Sequence, residues 1–340
     1  MKMVVEKNRI FLLAFACLLI GLAGGLVSAG KTNLMFLNKP GPVTDVRAGQ
    51  GKFTNPLLEC DQAQGEFTEL TPFKDKISLL ASNLQTNSSV NNISLYFQDL
   101  NNGPWFGVSS SASFAPASLL KVPLAIAYYK LAETKGPDVL QKSITYTAPQ
   151  QPGAPVTQTI APLETLVAGQ SYTIQDLIAR MLKYSDNQSY YLLFSNIDVN
   201  FLLSVYSDFG MQINGPGSDD DSIVSVRNYS SFFRILFNAS YLTQADSEKV
   251  LGLLASSEFK DGLIAGTPAN VTVSHKFGER ENAGSNQAQL SDCGIIYYPQ
   301  HPYLLCISTK GVDLPKQASA IQKLSAAVYG EIDNQYNQKY

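Results

Sequence analysis

The chain has 340 residues, of which 45% are apolar and 16% charged, and a formal net charge of −3. That length suits one large domain or two modest ones, and the apolar share supports a sizeable core and excludes global disorder. A mild negative charge without a long basic run argues against a nucleic-acid partner, whose binding rests on clustered lysine and arginine.

The N-terminus carries Lys2, Lys7 and Arg9, followed by an uncharged apolar run over residues 10–29. A run of that length just spans a bilayer as a helix. Val27-Ser28-Ala29 ahead of Gly30 also fits a signal-peptidase site. Residues 1–30 are therefore expected to be a signal-anchor or a cleaved signal peptide. Its positive flank stays inside, so the remainder is exported, either to the outer face of the cytoplasmic membrane or into the medium. Residues 31–69 are rich in Gly, Pro, Asn and Gln and show no sustained period. They read as a linker or an extended arm.

From residue 70 the pattern becomes periodic. Thr71 and Pro72 open a helix whose apolar face is Ile77, Leu80, Ala81 and Leu84. Residues 92–100 alternate like a strand, and Asn101-Asn102-Gly103 turns the chain. Residues 118–265 are mostly helical. In that stretch Thr173 and Asp176 form a variant capping box ahead of a stripe of Ile174, Leu177, Ile178 and Met181. Residues 243–257 read the same way. Strands return at 271–278, 293–299 and 303–311, and a helix over 316–332 closes the domain. The fold class expected is α+β, an α/β sandwich. One antiparallel sheet is built from both chain ends and flanked by helices, with an all-helical lobe inserted between its early and late strands. A site would lie in the cleft between lobe and sheet.

Four cysteines are present, at positions 17, 60, 293 and 306. Cys17 lies in the apolar run and Cys60 in the arm. Cys293 and Cys306 flank the turn-like Tyr298–Pro302 and face each other across a hairpin, as a disulfide in an oxidising compartment or as buried thiols. No Cys/His spacing resembles a metal site, and no cofactor is expected.

Ser118 and Lys121 stand three residues apart at the start of an apolar run, so a helix projects them together. A helix N-terminus favours developing negative charge. Burial lowers a lysine's pKa, and a neutral amine beside a hydroxyl is a credible general base. A lone Ser-x-x-Lys carries little weight, because a surface serine with a snorkelling lysine gives the same pattern. Two further elements follow in order: Ser185-Asp186-Asn187 after the capped helix, and Lys276-Phe277-Gly278 on a late strand. Ser185 and Asn187 also suit a helix cap. A Ser-His-Asp triad is disfavoured. His275 points to the opposite strand face from Lys276, and His301 lies in a turn.

The three elements, in this order and context, are the signature set of the penicillin-recognising serine enzymes. Over about residues 70–333 the chain resembles class A β-lactamases and their penicillin-binding relatives. The resemblance implies a serine hydrolase that opens a β-lactam or a D-alanyl amide through an acyl-enzyme on Ser118. It implies Lys121 as base and Ser185 as proton relay to the leaving nitrogen, with Lys276 supplying positive potential. It implies that Asn187 binds the substrate's side-chain amide, that Asp186 is structural, and that the main-chain N–H groups of Ser118 and Glu279 form the oxyanion hole.

Two departures stand out. The family's Lys-Thr-Gly or Lys-Ser-Gly is here Lys-Phe-Gly. Phe277 cannot hydrogen-bond a substrate carboxylate, which leaves Arg280 as a candidate for that task. The family's Glu-x-x-Leu-Asn loop, whose Glu activates the deacylating water, has no counterpart, since residues 201–226 contain no Glu. Asp219, Asp220 and Asp221 read instead as a helix cap and solvated turn. Alternative functions are thus a cell-wall DD-peptidase, or a non-catalytic β-lactam sensor or wall-binding module that acylates and stalls.

Overall fold

The computed structural model describes residues 51–54, 68–87, 90–149, 158–211, 224–281 and 287–337. The apolar run 10–29, Cys17, Cys60, Asp219–Asp221 and most of the arm lie outside them. The chain divides into two units, Met1–Ala48 and Gly49–Tyr340, and every described residue belongs to the second.

Five strands form the main sheet: β1 (Val90–Asp99), β2 (Trp105–Val108), β3 (Val273–Glu281), β4 (Ala288–Ile296) and β5 (Tyr303–Gly311). Their order is β2-β1-β5-β4-β3, with every pair antiparallel. The first two strands thus join the last three, as the sequence pattern predicts, and β3 lies at an open edge. Gly103, with φ of 83°, occupies the left-handed region that the β1–β2 turn requires.

Side chains alternate along each strand between two cores. On β1 and β5, Tyr96, Leu304 and Cys306 join one apolar cluster, while Leu95, Phe97, Leu305 and Ile307 join the other. Strand β1 therefore reads as nearly continuous burial rather than the alternation expected from sequence, because helices cover both its faces. One cover is α1 (Thr71–Asn87) with α9 (Leu314–Asn337), which seat Ile77, Ile321 and Leu324 on the second cluster. The other is the inserted lobe, comprising α2 (Lys121–Lys135), α3 (Asp138–Gln141), α4 (Ile174–Lys183), α5 (Asn187–Ser195), α6 (Val199–Asp208), α7 (Val226–Asn238) and α8 (Gln244–Ala255). Cys293 and Cys306 are directly opposite in the β4–β5 register and are joined as a disulfide, which settles the alternative left open by their spacing.

Two local features fix the lobe around the site. The first turns of α2 are buried on every side, from Lys121 through Tyr129, the signature of a helix at the centre of a packed lobe. Helix α4 starts at a complete capping box: Thr173 Oγ1 accepts from Asp176 N–H, and Asp176 accepts from Thr173 N–H. Its stripe of Ile174, Leu177, Ile178 and Met181 is buried, and the helix delivers the chain to Ser185.

Of the arm, residues 51–54 are anchored. The N–H groups of Phe53 and Thr54 donate to the two carboxylate oxygens of Glu248 on α8, and the Phe53 ring meets Tyr297 edge-on.

Thr173→Ala removes one half of the capping box and is expected to destabilise the domain by about 1 kcal/mol. A urea titration should show a lower midpoint with an unchanged slope.

Candidate active site

Ser118 lies in a 3₁₀ turn, Ala117–Leu120, that runs straight into α2. The residue before it, Ala117, has φ of 46°, left-handed without being glycine. Such strain persists only where the surroundings over-determine the backbone. Gly278 on β3 packs against this turn: a methyl group there would lie 2.9 Å from Pro116 O and 3.1 Å from Leu119 Cγ. Only a residue without Cβ lets the edge strand approach the Ser118 turn this closely.

The expected partners converge on Lys121. Its Nζ is 2.9 Å from Ser118 Oγ, 2.5 Å from Ser185 O, 2.7 Å from Asn187 Oδ1 and 3.1 Å from Ser185 Oγ. The two shortest contacts go to oxygens that only accept and so occupy two N–H bonds. In the neutral amine the lone pair is then left for the Ser118 hydroxyl. Burial lowers the Lys121 pKa from 10.5 to about 7, against the opposing pull of Asp186 and Glu279.

Ser185 also has a left-handed backbone, with φ of 56°. The helix cap that follows belongs to Asp186, whose carboxylate accepts from Gln188 N, Ser189 N and Ser189 Oγ. With Asp186 as the cap, Ser185 and Asn187 are released to face Lys121. Lys276 Nζ donates to Ser185 Oγ at 2.9 Å and to Phe277 O at 2.8 Å. It is fully buried, and its pKa is pushed well down, first by desolvation and then by the neighbouring Lys121 charge. Ser185 Oγ thus stands between two lysine amines.

Other predicted residues are placed differently. Phe277 is 3% exposed; its ring stacks on Phe259 at 4.1 Å and lies under Lys276 Nζ, 4.2 Å from the ring centroid, while its carbonyl accepts from the same amine. Arg280 is partly buried and registers with Gln289, and it is not among the residues lining the cleft. His275 is fully buried on the far face, where its Nδ1 pairs with Asp292 Oδ1 at 2.9 Å, so it cannot serve Ser118.

An open cleft of about 150 Å³ is lined by Ser118, Lys121, Asn187 and Glu279, while Ser185 and Lys276 are not among its lining residues. It also brings in residues that sequence reasoning missed. Tyr190 and Tyr191 line it, and Tyr190 is one helical turn from Asn187, a spacing that points to a shared face. Gln158 lines it from a loop without periodicity; its Nε2 donates to Ile160 O and Ser185 O. Nothing in the pattern around Gln158 marks it. Among the described residues there is no cluster suited to a metal ion and no helix long and apolar enough to cross a membrane.

The model of the Beta-lactamase enzyme family matches residues 72–332. The chain belongs to the Beta-lactamase enzyme family. No curated protein matches it. Among solved structures it is similar to PBP-A, with 21% identity, a TM-score of 0.64, and coverage of 78% of this chain and 97% of that one. A β-lactamase from Xanthomonas campestris shares 21% identity at a TM-score of 0.63, covering 76% and 98%. The TLA-3 extended-spectrum β-lactamase shares 13% identity at a TM-score of 0.66, again covering 76% and 98%. These likenesses show the β-lactamase-like fold.

If the Lys121 amine is the base, acylation of Ser118 should follow its neutral fraction. The rate is expected to rise about tenfold per pH unit up to about 7 and to level above that value, as stopped-flow labelling across pH 5 to 9 would show.

Proposed function

We propose that this protein is a serine hydrolase of the class A β-lactamase type that opens a β-lactam or a D-alanyl amide through an acyl-enzyme on Ser118. The observation that carries the reading is the 2.9 Å contact between Ser118 Oγ and a lysine amine whose pKa burial lowers to about 7. In this scheme Lys121 takes the Ser118 proton as Oγ attacks the carbonyl carbon. The main-chain N–H groups of Ser118 and Glu279 hold the oxyanion. When the carbon–nitrogen bond breaks, the leaving nitrogen takes its proton from Ser185 Oγ, which is replenished from Lys121 or Lys276. Asn187 binds the acyl side-chain amide and Lys276 supplies positive potential. A variant of PBP-A is known as an acyl-enzyme with penicillin G, a precedent for such an adduct on this fold. The run over residues 10–29 would serve as anchor or signal and hold the catalytic domain, residues 70–333, on the outer side of the membrane.

A second reading concerns turnover. Residues 201–226 contain no Glu to activate water for deacylation. Loss of a positioned general base commonly slows a step by about two to four powers of ten. That favours a DD-peptidase, a slow β-lactamase, or a sensor that acylates and stalls.

A fluorescent penicillin is therefore expected to label Ser118, and intact-mass spectrometry should show the adduct persisting for minutes or longer. Ser118→Ala should abolish it. Rapid return to the unmodified mass with hydrolysed drug would exclude the stalled reading, and no adduct with any β-lactam would exclude the β-lactam substrate.

A further inference from the structure

Lys276 is fully buried, and both desolvation and the neighbouring Lys121 charge press its amine toward the neutral form. Asp292 and Glu279 pull the other way, but each is engaged elsewhere. Asp292, on β4, pairs with His275 Nδ1 and accepts the Leu263 N–H, and Glu279, on β3 itself, accepts the Ile160 N–H. The two polar partners of Lys276 Nζ, Ser185 Oγ at 2.9 Å and Phe277 O at 2.8 Å, are neutral. A buried ammonium bonded to no anion needs another source of stabilisation.

Phe277 provides one. Its ring centroid is 4.2 Å from Lys276 Nζ. The residue is 3% exposed and the ring is stacked on Phe259 at 4.1 Å, so it is fixed in place and shielded from water. An aromatic face is negative, and its attraction for a cation grows when both are desolvated. An ammonium has three N–H donors. Two go to Ser185 Oγ and Phe277 O, which leaves the third for the ring. A neutral amine would hold a lone pair in that place and meet the ring face with like sign.

We propose that Phe277 is a positioning residue whose ring and carbonyl together hold Lys276 as the ammonium beside Ser185. A charged Lys276 can only donate to Ser185 Oγ, so the Ser185 hydroxyl proton stays directed away from it and available to the leaving nitrogen. That consequence rests on the proposed acyl-enzyme reaction, whereas the ionisation of Lys276 does not. In the Lys-Phe-Gly element a hydroxyl that could hydrogen-bond a substrate carboxylate is thus exchanged for a ring that retains a positive charge, and that charge attracts the same carboxylate over a longer distance.

Site-specific replacement of Phe277 by 4-fluoro-, 3,5-difluoro- and 3,4,5-trifluorophenylalanine tests the role, because fluorine drains negative charge from the ring face with little change in shape. The Cε and Nζ resonances of labelled lysine would be followed by NMR from pH 5 to 11 and assigned with Lys276→Arg. In wild type, Lys276 is expected to lose its proton at higher pH than Lys121. Its midpoint should fall stepwise along the series, by about one pH unit in the trifluoro variant, the scale of a desolvated cation–π contact. Packing alone produces no such graded shift. Should the trifluoro variant not fold, the two lighter members and Phe277→Leu, which has no ring, should still lower the midpoint. If Lys276 loses its proton before Lys121 in wild type, or if its midpoint ignores the series, the inference is overturned. Labelling of Ser118 with a fluorescent penicillin reports the reaction separately. A Lys276 midpoint that falls as expected, in a protein that no penicillin labels, would count against the acyl-enzyme reading and support the ring contact.

Discussion

The site is organised around the burial of one amine. Lys121 is 2% exposed at the start of a helix buried on all sides, and the desolvation of its charge brings its pKa to about 7. In water a lysine of ordinary pKa is almost wholly protonated at neutral pH and cannot take a proton from a hydroxyl. Removing solvent makes the lone pair available, and the oxygens of Ser185 and Asn187 aim it at Ser118. Complete removal of opposing charge would push the amine lower still. Asp186 and Glu279 limit the fall, so the site is tuned by burial against two carboxylates.

That arrangement needs the backbone in conformations it would not choose alone. Ala117 and Ser185 both sit in the left-handed region without being glycine, a strain of order 1–3 kcal/mol each. Several contacts hold them there. The Asp186 carboxylate ties down the first turn of α5 directly after Ser185. Gly278 lets the β3 strand press on Pro116 and Leu119 beside Ala117. The sheet edge and the lobe are therefore coupled through the Ser118 turn. Lys276 extends the coupling by bonding Ser185 Oγ from the strand side.

Much of this was legible in the sequence, for identifiable reasons. Helix α4 declared itself because capping and a 3.6-residue stripe act locally: Thr173, Asp176, Ile178 and Met181 lie within three turns. The three motifs were readable because each places its residues at a fixed local offset. Strand β1 was legible from residues 92–100, but its burial was not: Tyr96 and Phe97 go to different cores, because helices cover both faces of the sheet. Phe277 was identified as a departure from the family pattern, but its stacking on Phe259 depends on a residue eighteen positions away. Gln158 and the Glu279 carboxylate meet the site only through the fold, with no periodicity to announce them.

The most direct test of this account is the ionisation of Lys121 itself. The Cε and Nζ resonances of isotopically labelled lysine can be followed by NMR across pH 5 to 11 and assigned with a Lys121→Arg variant. The account predicts a midpoint at about 7 for the Lys121 signal. A midpoint near the ordinary lysine value of about 10.4 would mean that the amine stays charged beside Ser118, and would contradict the role of base proposed for it.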